Sequence, residues 1–508
     1  MKKYPIGLQD FGKIRKEGFL YIDKTQSIHQ LIDSGNYYFL SRPRRFGKSL
    51  LLSTIKEIFK GNKELFEGLW IYDRWNWEQK HPVIHLRFSQ IAYKELGLIK
   101  AISQELDFLA EEFGVQLNEE SLALKFRELI RKVAKKGRVV ILIDEYDKPI
   151  TDFLEDLGQV EENRSVFKSF YSVLKDADEY IRFLILTGVS RFPKLSIFSD
   201  LNNLNDITIH RKYATITGIT QQELERDFKD EIAEMQQRQP DLLANLKLWY
   251  NGYAWHEEAE RVYNPFSILK YMDGRDFRNY WFQTGTPTWL VNLIKQKREF
   301  DLENVHIGEN ALSSFNGENM AVVPVLFQTG YLTIKGFNNR LFELGYPNWE
   351  VEESLTDALL SAYRNVFPSN DSMSVTNDLG EALKNNNISQ MMKALDVLLS
   401  TIPYDHWKAE SESIFHIIVH LSFKHLGFDV RSEVHSSIGR CDVLVFTEQY
   451  IFALELKLNG TAQAALNQIF EKDYLRPYQL DARKKIAIGI NFSSVKRGVE
   501  EYLVKEAE

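Results

Sequence analysis

One short stretch, Arg42–Ser49, constrains the fold of this chain most strongly. An apolar run typical of a strand, Tyr37–Ser41, precedes it, and a helical pattern follows it. A strand, a glycine-containing loop and a helix in this order form a cradle whose backbone N–H groups bind phosphate. Gly47 supplies the flexible backbone, Lys48 reaches the phosphate oxygens and Ser49 can bind Mg²⁺. The stretch therefore predicts a phosphate-binding α/β domain.

The loop departs from the common G-x-x-x-x-G-K-[ST] pattern in one place. Arg42 stands where that pattern has its first glycine, so the turn out of the strand must differ in detail. A further arginine of the loop, Arg45, is a candidate contact for the phosphates. The alternative interpretation is an ordinary basic turn before a helix.

A second element favours the phosphate site. Five apolar residues, Val139–Ile143, end in two acids, Asp144 and Glu145, as in a buried central strand that delivers carboxylates at its C-terminal edge. Asp144 would hold Mg²⁺ through water and Glu145 would polarise the attacking water, which predicts ATP hydrolysis and not binding alone. The strand candidate Val83–Ser89 lies between the two motifs, as expected for the P-loop class that inserts a strand between them. The alternative is a buried strand followed by a solvated acidic turn.

A third apolar run, Phe183–Val189, ends in hydroxyls and an arginine. Thr187 or Ser190 can sense the γ-phosphate, and Arg191 can neutralise charge in the transition state. An ordinary strand end with turn residues explains the same pattern.

Length and patterning predict several domains, since 508 residues exceed what one core supports. Strand-like runs alternate with helical stretches up to about residue 218, and Tyr213–Thr217 is the last strand candidate. An aromatic-rich helical region follows, and the polar stretch Pro368–Asp378 is the best linker candidate. The predicted divisions are a P-loop domain (1–218), a helical lid or adaptor (219–305), a small winged-helix-like element with linker (306–375) and a second α/β unit (376–508).

The last unit contains a second acidic constellation. Two strand candidates, Cys441–Phe446 and Tyr450–Leu458, are joined by a few residues and should pair as a hairpin. Period-two alternation puts Glu455 and Lys457 on one face, and pairing brings Asp442 beside them. Two converging carboxylates repel each other, and a divalent metal relieves that repulsion. The metal would polarise a phosphate and activate water while Lys457 stabilises negative charge, and the alternative is a pair of surface strands with salt bridges.

Several runs together resemble one family, the AAA-ATPase-like bacterial proteins that commonly carry a C-terminal PD-(D/E)xK nuclease-superfamily domain. The matching runs follow in order along most of the chain: IGLQDFGKIRKEGFLYIDKT, RPRRFGKSL, LIDEYDKP, LTGVSRF, WYNGYAW, YNPFSI and QTGYLTI. In that family a loop beginning Arg-Pro-Arg-Arg is usual, so the resemblance accounts for the missing glycine.

The resemblance also implies roles in the C-terminal unit. Asp442, Glu455 and Lys457 match the D…(D/E)xK signature, with Cys441 in the position of its proline. Glu412 falls where the superfamily often has a further metal-binding acid. Gln468 and Tyr474 fall where it often has a helper helix.

Other features are interpreted as structural. His416 and His420 are spaced as a metal pair, but the apolar residues between them mark a helix packed on a core. The basic run Arg131–Arg138 is interpreted as the solvent-exposed end of a helix and not as a contact for a phosphate backbone. The aromatics of Trp249–Trp255 are expected in the core or at a domain interface and not on nucleobases.

Net charge and cysteine content limit the classes of partner and the cellular location that we expect. A net charge of -8 excludes a surface that is basic throughout, so contact with nucleic acid requires local basic patches. The single cysteine excludes an intrachain disulfide, and neither a signal peptide nor a membrane-spanning run is present, so we expect a cytoplasmic protein that does not enter a membrane. We expect nucleic acid as partner, DNA before RNA, and leave a homo-oligomer open.

The predicted fold class is multidomain α/β: an N-terminal P-loop NTPase with an AAA/ASCE-like sheet and helices on both faces, a helical and winged-helix-like middle, and a C-terminal PD-(D/E)xK-like domain. The predicted function is an ATP-binding and ATP-hydrolysing protein, with ATP and Mg²⁺ as cofactors, coupled to a metal-dependent nuclease. The alternative is a signalling or scaffold ATPase whose nuclease-like domain binds nucleic acid or protein without cleaving.

Overall fold

The chain forms two compact units. The computed structural model describes residues 2–191, 203–282, 288–312, 321–364, 370–400, 412–435 and 440–507. The first unit comprises Met1–Thr284 and Glu303–Glu350, and the second comprises Gly285–Leu302 and Val351–Glu508. The limits at residues 218, 305 and 375 drawn from sequence stay predictions. Among the described residues, no helix combines the length and apolarity needed to cross a membrane.

A five-stranded parallel sheet organises the first unit. Its strands are β1 (Tyr37–Ser41), β2 (Val83–Arg87), β3 (Val139–Asp144), β4 (Ile181–Gly188) and β5 (Asn205–Asp206), in the order β2-β3-β4-β1-β5. Every residue of β1 and β3 is buried. Continuous apolar runs of this kind are typical of central strands covered on both faces.

Helices cover both faces of this sheet, as predicted. Successive side chains of β3 point to opposite faces, so Ile141 and Ile143 join one core while Val140 and Leu142 join the other. The first core packs against the helices Leu98–Phe113, Leu122–Val133 and Leu157–Asp176. The second packs against the helices Phe11–Lys16, Thr25–Ser34 and Lys48–Lys60. Shorter helical segments are Lys63–Phe66, Phe88–Gln90, Tyr93–Leu96, Ala134–Lys136, Lys148–Thr151 and Asp178–Tyr180.

A strand lies between the phosphate-loop strand and the acidic strand, as expected for the predicted P-loop class, but that strand is β4. The predicted strand Val83–Ser89 forms β2 at the sheet edge instead, because order along the chain does not fix order in a parallel sheet. One strand prediction is wrong. The predicted strand Tyr213–Thr217 is replaced by a 3₁₀ helix, Arg211–Tyr213, and turns. Local bonds, such as Ile216 N–H to Tyr213 C=O, satisfy that backbone without a strand partner.

The rest of the first unit is a helical group and a small sheet. The helices Gln221–Asp227, Lys229–Gln236, Leu242–Tyr250 and Pro265–Gly274 build a core of their own. The strands β6 (Val305–Gly308), β7 (Thr333–Asn338) and β8 (Leu341–Gly345) pair antiparallel in the order β6-β8-β7. Two further helices are Glu309–Leu312 and Val322–Thr329.

The second unit contains a mixed five-stranded sheet. Its strands are β9 (Asp429–His435), β10 (Arg440–Phe446), β11 (Tyr450–Leu458), β12 (Lys484–Ser493) and β13 (Gly498–Ala507), in the order β13-β12-β11-β10-β9. Only β11 and β12 run parallel. The helices are Thr288–Lys297, Trp349–Arg364, which begins in the first unit, Asn370–Lys384, Ile388–Ser400, Glu412–His425, Ala462–Glu471 and the short Arg476–Tyr478.

The prediction of a linker at Pro368–Asp378 is wrong for its larger part. From Asn370 onward the stretch is the first turns of the helix Asn370–Lys384. Asn, Asp and Ser favour helix starts as well as loops, because their side chains can satisfy the free N–H groups of a first turn.

Candidate functional site

The phosphate loop connects β1 to the helix Lys48–Lys60 through a strained backbone. Gly47 immediately precedes the helix with a φ of 84°, and Arg45 has a φ of 66°. A Cβ on Gly47 would meet no atom within 4 Å, so the backbone conformation and not lack of space favours glycine there. Ser49 follows in the first helical turn.

Lys48 lies inside this loop. Its ammonium donates to the carbonyl oxygens of Arg42 and Pro43, each at 2.9 Å, and the residue is 6% exposed. Burial lowers the pKa of Lys48, while Asp144 and Glu145 oppose the shift. The ammonium therefore belongs to a charge cluster with the acids that follow β3.

Arg42 explains how the loop does without its first glycine. The guanidinium is fully buried and donates to the carbonyl oxygens of Ser41 (2.8 Å), Thr208 (2.7 Å) and Tyr213 (3.2 Å). It also lies 4.4 Å from the centre of the Trp255 ring. Arg42 anchors the start of the loop to the protein interior.

Aromatic side chains support the loop from within the first unit. Phe46 is fully buried, with its ring 4.6 Å from Tyr253 and 5.7 Å from Trp255, both in edge-on contact. The indole N–H of Trp281 donates to Arg44 C=O at 3.0 Å. Tyr250, Tyr253 and Trp255 of the WYNGYAW run are thus core residues, as the sequence interpretation expected, and Trp249 is half-buried against the core of the helical group.

A cleft of about 440 Å³ opens beside the loop. Arg44, Arg45, Lys48, Ser49 and Glu145 are among the residues that line it. A lining that combines cations, a helix N-terminus and an acid suits a polyphosphate and the water that attacks it.

The two acids after β3 have different environments. Asp144 is 3% exposed and accepts a hydrogen bond of 2.8 Å from the Thr187 hydroxyl. Glu145 has a φ of 54° and lines the cleft, and burial beside Asp144 raises its pKa. An acid with a raised pKa beside a phosphate site suits a general base. Direct phosphate contact by Thr187 stays a prediction, since its hydroxyl is directed to Asp144.

Asp147 is a functional candidate that the sequence reasoning missed. Its buried carboxylate accepts hydrogen bonds from Val189 N–H and from both the N–H and the hydroxyl of Ser190, the last two at 2.6 Å. It thereby ties the turn after β3 to the end of β4. The Asp-Glu-Tyr-Asp run was the available signal, but it also fits a solvated turn.

Arg191 forms an ion pair at the end of β4. Its Nη2 lies 2.6 Å from the Asp206 carboxylate, and its backbone N–H donates to Gln328 at 2.7 Å. Both side chains of the pair are 11% exposed. A role for Arg191 in neutralising phosphate charge stays a prediction and requires the pair to open.

The second acidic constellation assembles as strand pairing predicts. Val443 pairs with Leu454, so Asp442 and Glu455 stand directly next to the paired residues, and the Asp442 carboxylate accepts a hydrogen bond of 2.9 Å from Leu456 N–H. Asp442 N–H donates to the Glu455 carboxylate at 3.4 Å, and Lys457 Nζ lies 3.2 Å from Glu455 Oε1. The three residues of the D…(D/E)xK signature therefore meet on one face of the sheet.

Glu455 is a buried carboxylate that a metal would suit. The residue is 1% exposed, and burial together with Asp442 raises its pKa to about 7, although Lys457 opposes the shift. A divalent cation would stabilise the charged form of both carboxylates, so the donor set fits Mg²⁺ or Mn²⁺. Over the described ranges no three His, Cys, Asp or Glu residues converge on one point. Glu412 starts the helix Glu412–His425, but its side chain lies outside the described residues.

Gln468 and Tyr474 lie near this acidic site, since Glu455 and Asp442 act electrostatically on Tyr474. Gln468 lies on the helix Ala462–Glu471 and donates to the Tyr474 hydroxyl at 3.2 Å. Tyr474 is 3% exposed, and burial raises its pKa. The helix packs closely on β12, because a Cβ on Gly489 would stand 2.4 Å from Ala462 C=O.

Both histidines have hydrogen-bond partners within the protein. His420 Nδ1 lies 2.7 Å from the Ser432 hydroxyl, and burial lowers the pKa of His420 to about 3. His416 Nε2 lies 2.6 Å from Asp442 C=O. His416 thus supports the strand segment that carries Asp442, a contact that its helical spacing alone could not reveal.

Comparison with known proteins identifies a family for each of the two domains that contain these residues. The family model described as predicted AAA-ATPase matches residues 5–198, and the model described as PD-(D/E)XK nuclease superfamily matches residues 410–502. The chain is 38% identical over 522 residues to the "Uncharacterized protein in vnfD 5'region" of Azotobacter chroococcum mcd 1, with 99% of each chain covered. No solved structure matches it. The chain belongs to the family that this relative represents, in which an AAA-ATPase-like domain is joined to a C-terminal domain of the PD-(D/E)XK nuclease superfamily.

Proposed function

We propose that this protein hydrolyses ATP and uses its nucleotide state to control metal-dependent cleavage of nucleic acid, DNA in preference to RNA. The observation that carries the proposal is the meeting of Asp442, buried Glu455 and Lys457 in a chain that also holds a phosphate loop. The single cysteine, Cys441, supports a cytoplasmic location.

Each residue of the proposed ATP site has its own role. Phosphate oxygens would replace the loop carbonyls as acceptors for Lys48, while Arg44 and Arg45 line the same cleft. Ser49 and Asp144 would hold Mg²⁺, which screens the phosphate charge. Glu145, whose pKa is raised, would take a proton from the attacking water.

The residues of the proposed nuclease site also have separate roles. Asp442 and Glu455 would hold a divalent cation, which supplies Lewis acidity toward the scissile phosphate. Lys457, 28% exposed and 3.2 Å from Glu455, would orient water and stabilise the charge that develops on phosphorus-bound oxygens.

One observation favours a second candidate function. Only two carboxylates converge in the part of this site that the structure describes, and a site with few ligands can bind nucleic acid without cutting it. The chain would then be a signalling or scaffold ATPase.

Cleavage assays separate the two functions. Plasmid, single-stranded DNA and RNA are incubated with Mg²⁺ or Mn²⁺, with and without ATP, using wild type, Lys457→Ala and Lys48→Ala. Lys484→Ala and Lys60→Ala are matched controls, because both lysines are exposed in the same two units. We expect cleavage to be lost in Lys457→Ala and to respond to ATP only when Lys48 is intact. ATP hydrolysis without any cleavage would support the scaffold function.

A further inference from the structure

Two successive arginines of the phosphate loop are held by aromatic residues from outside the loop. The Arg44 carbonyl oxygen accepts a hydrogen bond of 3.0 Å from the Trp281 indole N–H. The Arg45 guanidinium lies 4.8 Å from the centre of the Phe266 ring. Both arginines line the phosphate cleft, whereas Trp281 is not among the described residues of its lining.

The bond from Trp281 fixes the orientation of the peptide group between Arg44 and Arg45. In a trans peptide the C=O and the N–H point in opposite directions, so a carbonyl held by Trp281 turns the N–H of Arg45 away from Trp281. Within the described part of the chain, this N–H has no acceptor. It is therefore available to an anion in the cleft.

The backbone of Arg45 needs outside support. Its φ of 66° lies in the left-handed region, which is unfavourable for a residue with a Cβ. Such a conformation persists only where the surrounding structure holds it, and residues of this kind cluster at ligand sites. The contacts from Trp281 and Phe266 supply that support.

A buried carboxylate ties these two supports together. Glu350 is fully buried, and its Oε1 accepts a hydrogen bond of 2.6 Å from the backbone N–H of Trp281. Its Oε2 accepts one of 2.7 Å from the hydroxyl of Ser267, which follows Phe266 in the helix Pro265–Gly274. Both donors are neutral, so burial of this carboxylate is costly, and stability alone would favour an apolar side chain.

We propose that Trp281 and Glu350 are positioning residues of the ATP site, which hold the Arg44–Arg45 peptide so that Arg45 N–H donates to a phosphate oxygen. The inference rests on the proposed ATP site at Lys48 and deepens it, because it names the residues that orient the loop. A donor that is already oriented binds an anion more tightly, since it does not have to be ordered on binding.

The variant Trp281→Phe tests the inference on the full chain. It removes the indole N–H and keeps an aromatic ring, so the Arg44 carbonyl is released. Trp77→Phe is the matched control, because the Trp77 indole N–H donates to Tyr72 C=O at 2.7 Å in the same unit and Trp77 does not line the described part of the cleft.

Calorimetry measures the affinity of each variant for ATP and for inorganic tripolyphosphate, which has neither base nor sugar. We expect Trp281→Phe to bind both ligands about three- to tenfold more weakly, the worth of one hydrogen bond. Trp77→Phe should lower the melting temperature to a similar extent and bind both ligands as wild type does. Affinity, and not stability, therefore distinguishes positioning of the loop from a structural role.

Glu350 offers a rescue by conservative substitution. In Glu350→Gln the amide oxygen can accept from Trp281 N–H and the amide nitrogen can donate to the Ser267 oxygen, so affinity should stay near that of wild type. Glu350→Leu removes both acceptors and should weaken tripolyphosphate binding as Trp281→Phe does. The result for Trp281→Phe decides, whether or not Glu350→Leu folds: wild-type affinity for tripolyphosphate in that variant would overturn the positioning role and leave the ATP site standing. A wild type that binds neither ATP nor tripolyphosphate would overturn both.

Discussion

At the residue scale, the side chain of Arg42 stabilises the start of the phosphate loop, a position that the common loop gives to glycine. The common phosphate loop uses glycine to leave its strand, whereas here a buried guanidinium donates to three carbonyl oxygens, those of Ser41, Thr208 and Tyr213. The contact with Trp255 adds packing from a residue far along the chain.

This arrangement predicts that restoring the common glycine is harmful. Arg42→Gly would leave the carbonyl partners of Arg42 unsatisfied in the interior and open a cavity beside Trp255. We expect the free energy of unfolding to fall by about 3 kcal/mol or more, measured by urea denaturation. Arg45→Ala, at an exposed position of the same loop, is the control and should change it by less than about 0.5 kcal/mol. Equal effects in the two variants would contradict the anchoring role of Arg42.

Glu350 is a residue whose pH dependence can be predicted. It is fully buried, accepts hydrogen bonds from Trp281 N–H (2.6 Å) and the Ser267 hydroxyl (2.7 Å), and burial raises its pKa to about 7. Between the ordinary glutamate pKa of about 4.3 and this value, the folded state binds more protons than the unfolded state. Stability should therefore fall as pH rises through this window, by up to about 3 kcal/mol in total, and stay level above it.

Thermal melts from pH 5 to pH 8 check this dependence. Glu350→Gln keeps the shape of the side chain without its charge, so the slope over this window should be smaller than in wild type. Glu64→Gln, at an exposed position, is the control and should follow wild type. A Glu350→Gln curve parallel to wild type would show that Glu350 does not titrate in this range.

The residue scale also shows what could be predicted from sequence. Asp442, Glu455 and Lys457 could be grouped correctly because strand alternation has a fixed period and a short turn forces two strands to pair. The structural role of Arg42 could not, because it depends on contacts with residues distant in sequence, such as Thr208.

At the element scale, close approach of two loops organises the region around the phosphate loop. Gly252 follows the helix Leu242–Tyr250 and has a φ of 108°, and a Cβ there would stand 1.9 Å from Pro347 C=O. The Asn348 side chain donates to Asn251 C=O at 2.9 Å. These contacts fix the loop that carries Tyr253 and Trp255 under Phe46.

Gly252→Ala should therefore be strongly destabilising. Neither backbone can move without breaking the contact, so we expect a loss of about 3 kcal/mol or more in urea denaturation, accompanied by weaker ATP binding. Gly114→Ala is the control, since Gly114 has a φ of 65° but a Cβ there would meet no atom within 4 Å. That variant should cost only about 1–2 kcal/mol. Similar losses in both variants would show that backbone strain alone, and not the contact with Pro347, decides the effect.

Elements were predicted best where a continuous apolar run was bounded by polar residues, as in β1 and β11, whose predicted and observed bounds coincide. The order of strands in the parallel sheet was not predictable in the same way, since β2 and β4 are both apolar runs that follow the phosphate loop. Which of them lies next to β1 is decided by crossover connections and packing on both faces. The short strand β5 has too few residues to give any periodic signal.

At the scale of the whole molecule, the family match to the nuclease superfamily is smaller than the compact unit that contains it. The match spans residues 410–502, whereas the unit also includes Gly285–Leu302 and the chain from Val351 onward. Phe300 packs edge-on against His416 and His420, and Asp396 accepts a hydrogen bond of 2.8 Å from Val499 N–H. Segments outside the match therefore contact the helix Glu412–His425 and β13, which belong to the same unit as the acidic site.

Two compact units predict two unfolding transitions in calorimetry. Saturating ATP with Mg²⁺, at about 100 times its dissociation constant, should stabilise the first unit by about 2.7 kcal/mol.

The proposed control of cleavage by nucleotide state also requires an effect of ATP on the second unit, because coupling between two sites is reciprocal in free energy. If ATP changes metal binding at Asp442 and Glu455, it should also shift the transition of the second unit. Arg42→Gly identifies the transition of the first unit by lowering it, and Lys48→Ala should abolish both ATP-induced shifts. A second transition that stays fixed while the first responds to ATP would mean that the ATPase and the acidic site work independently.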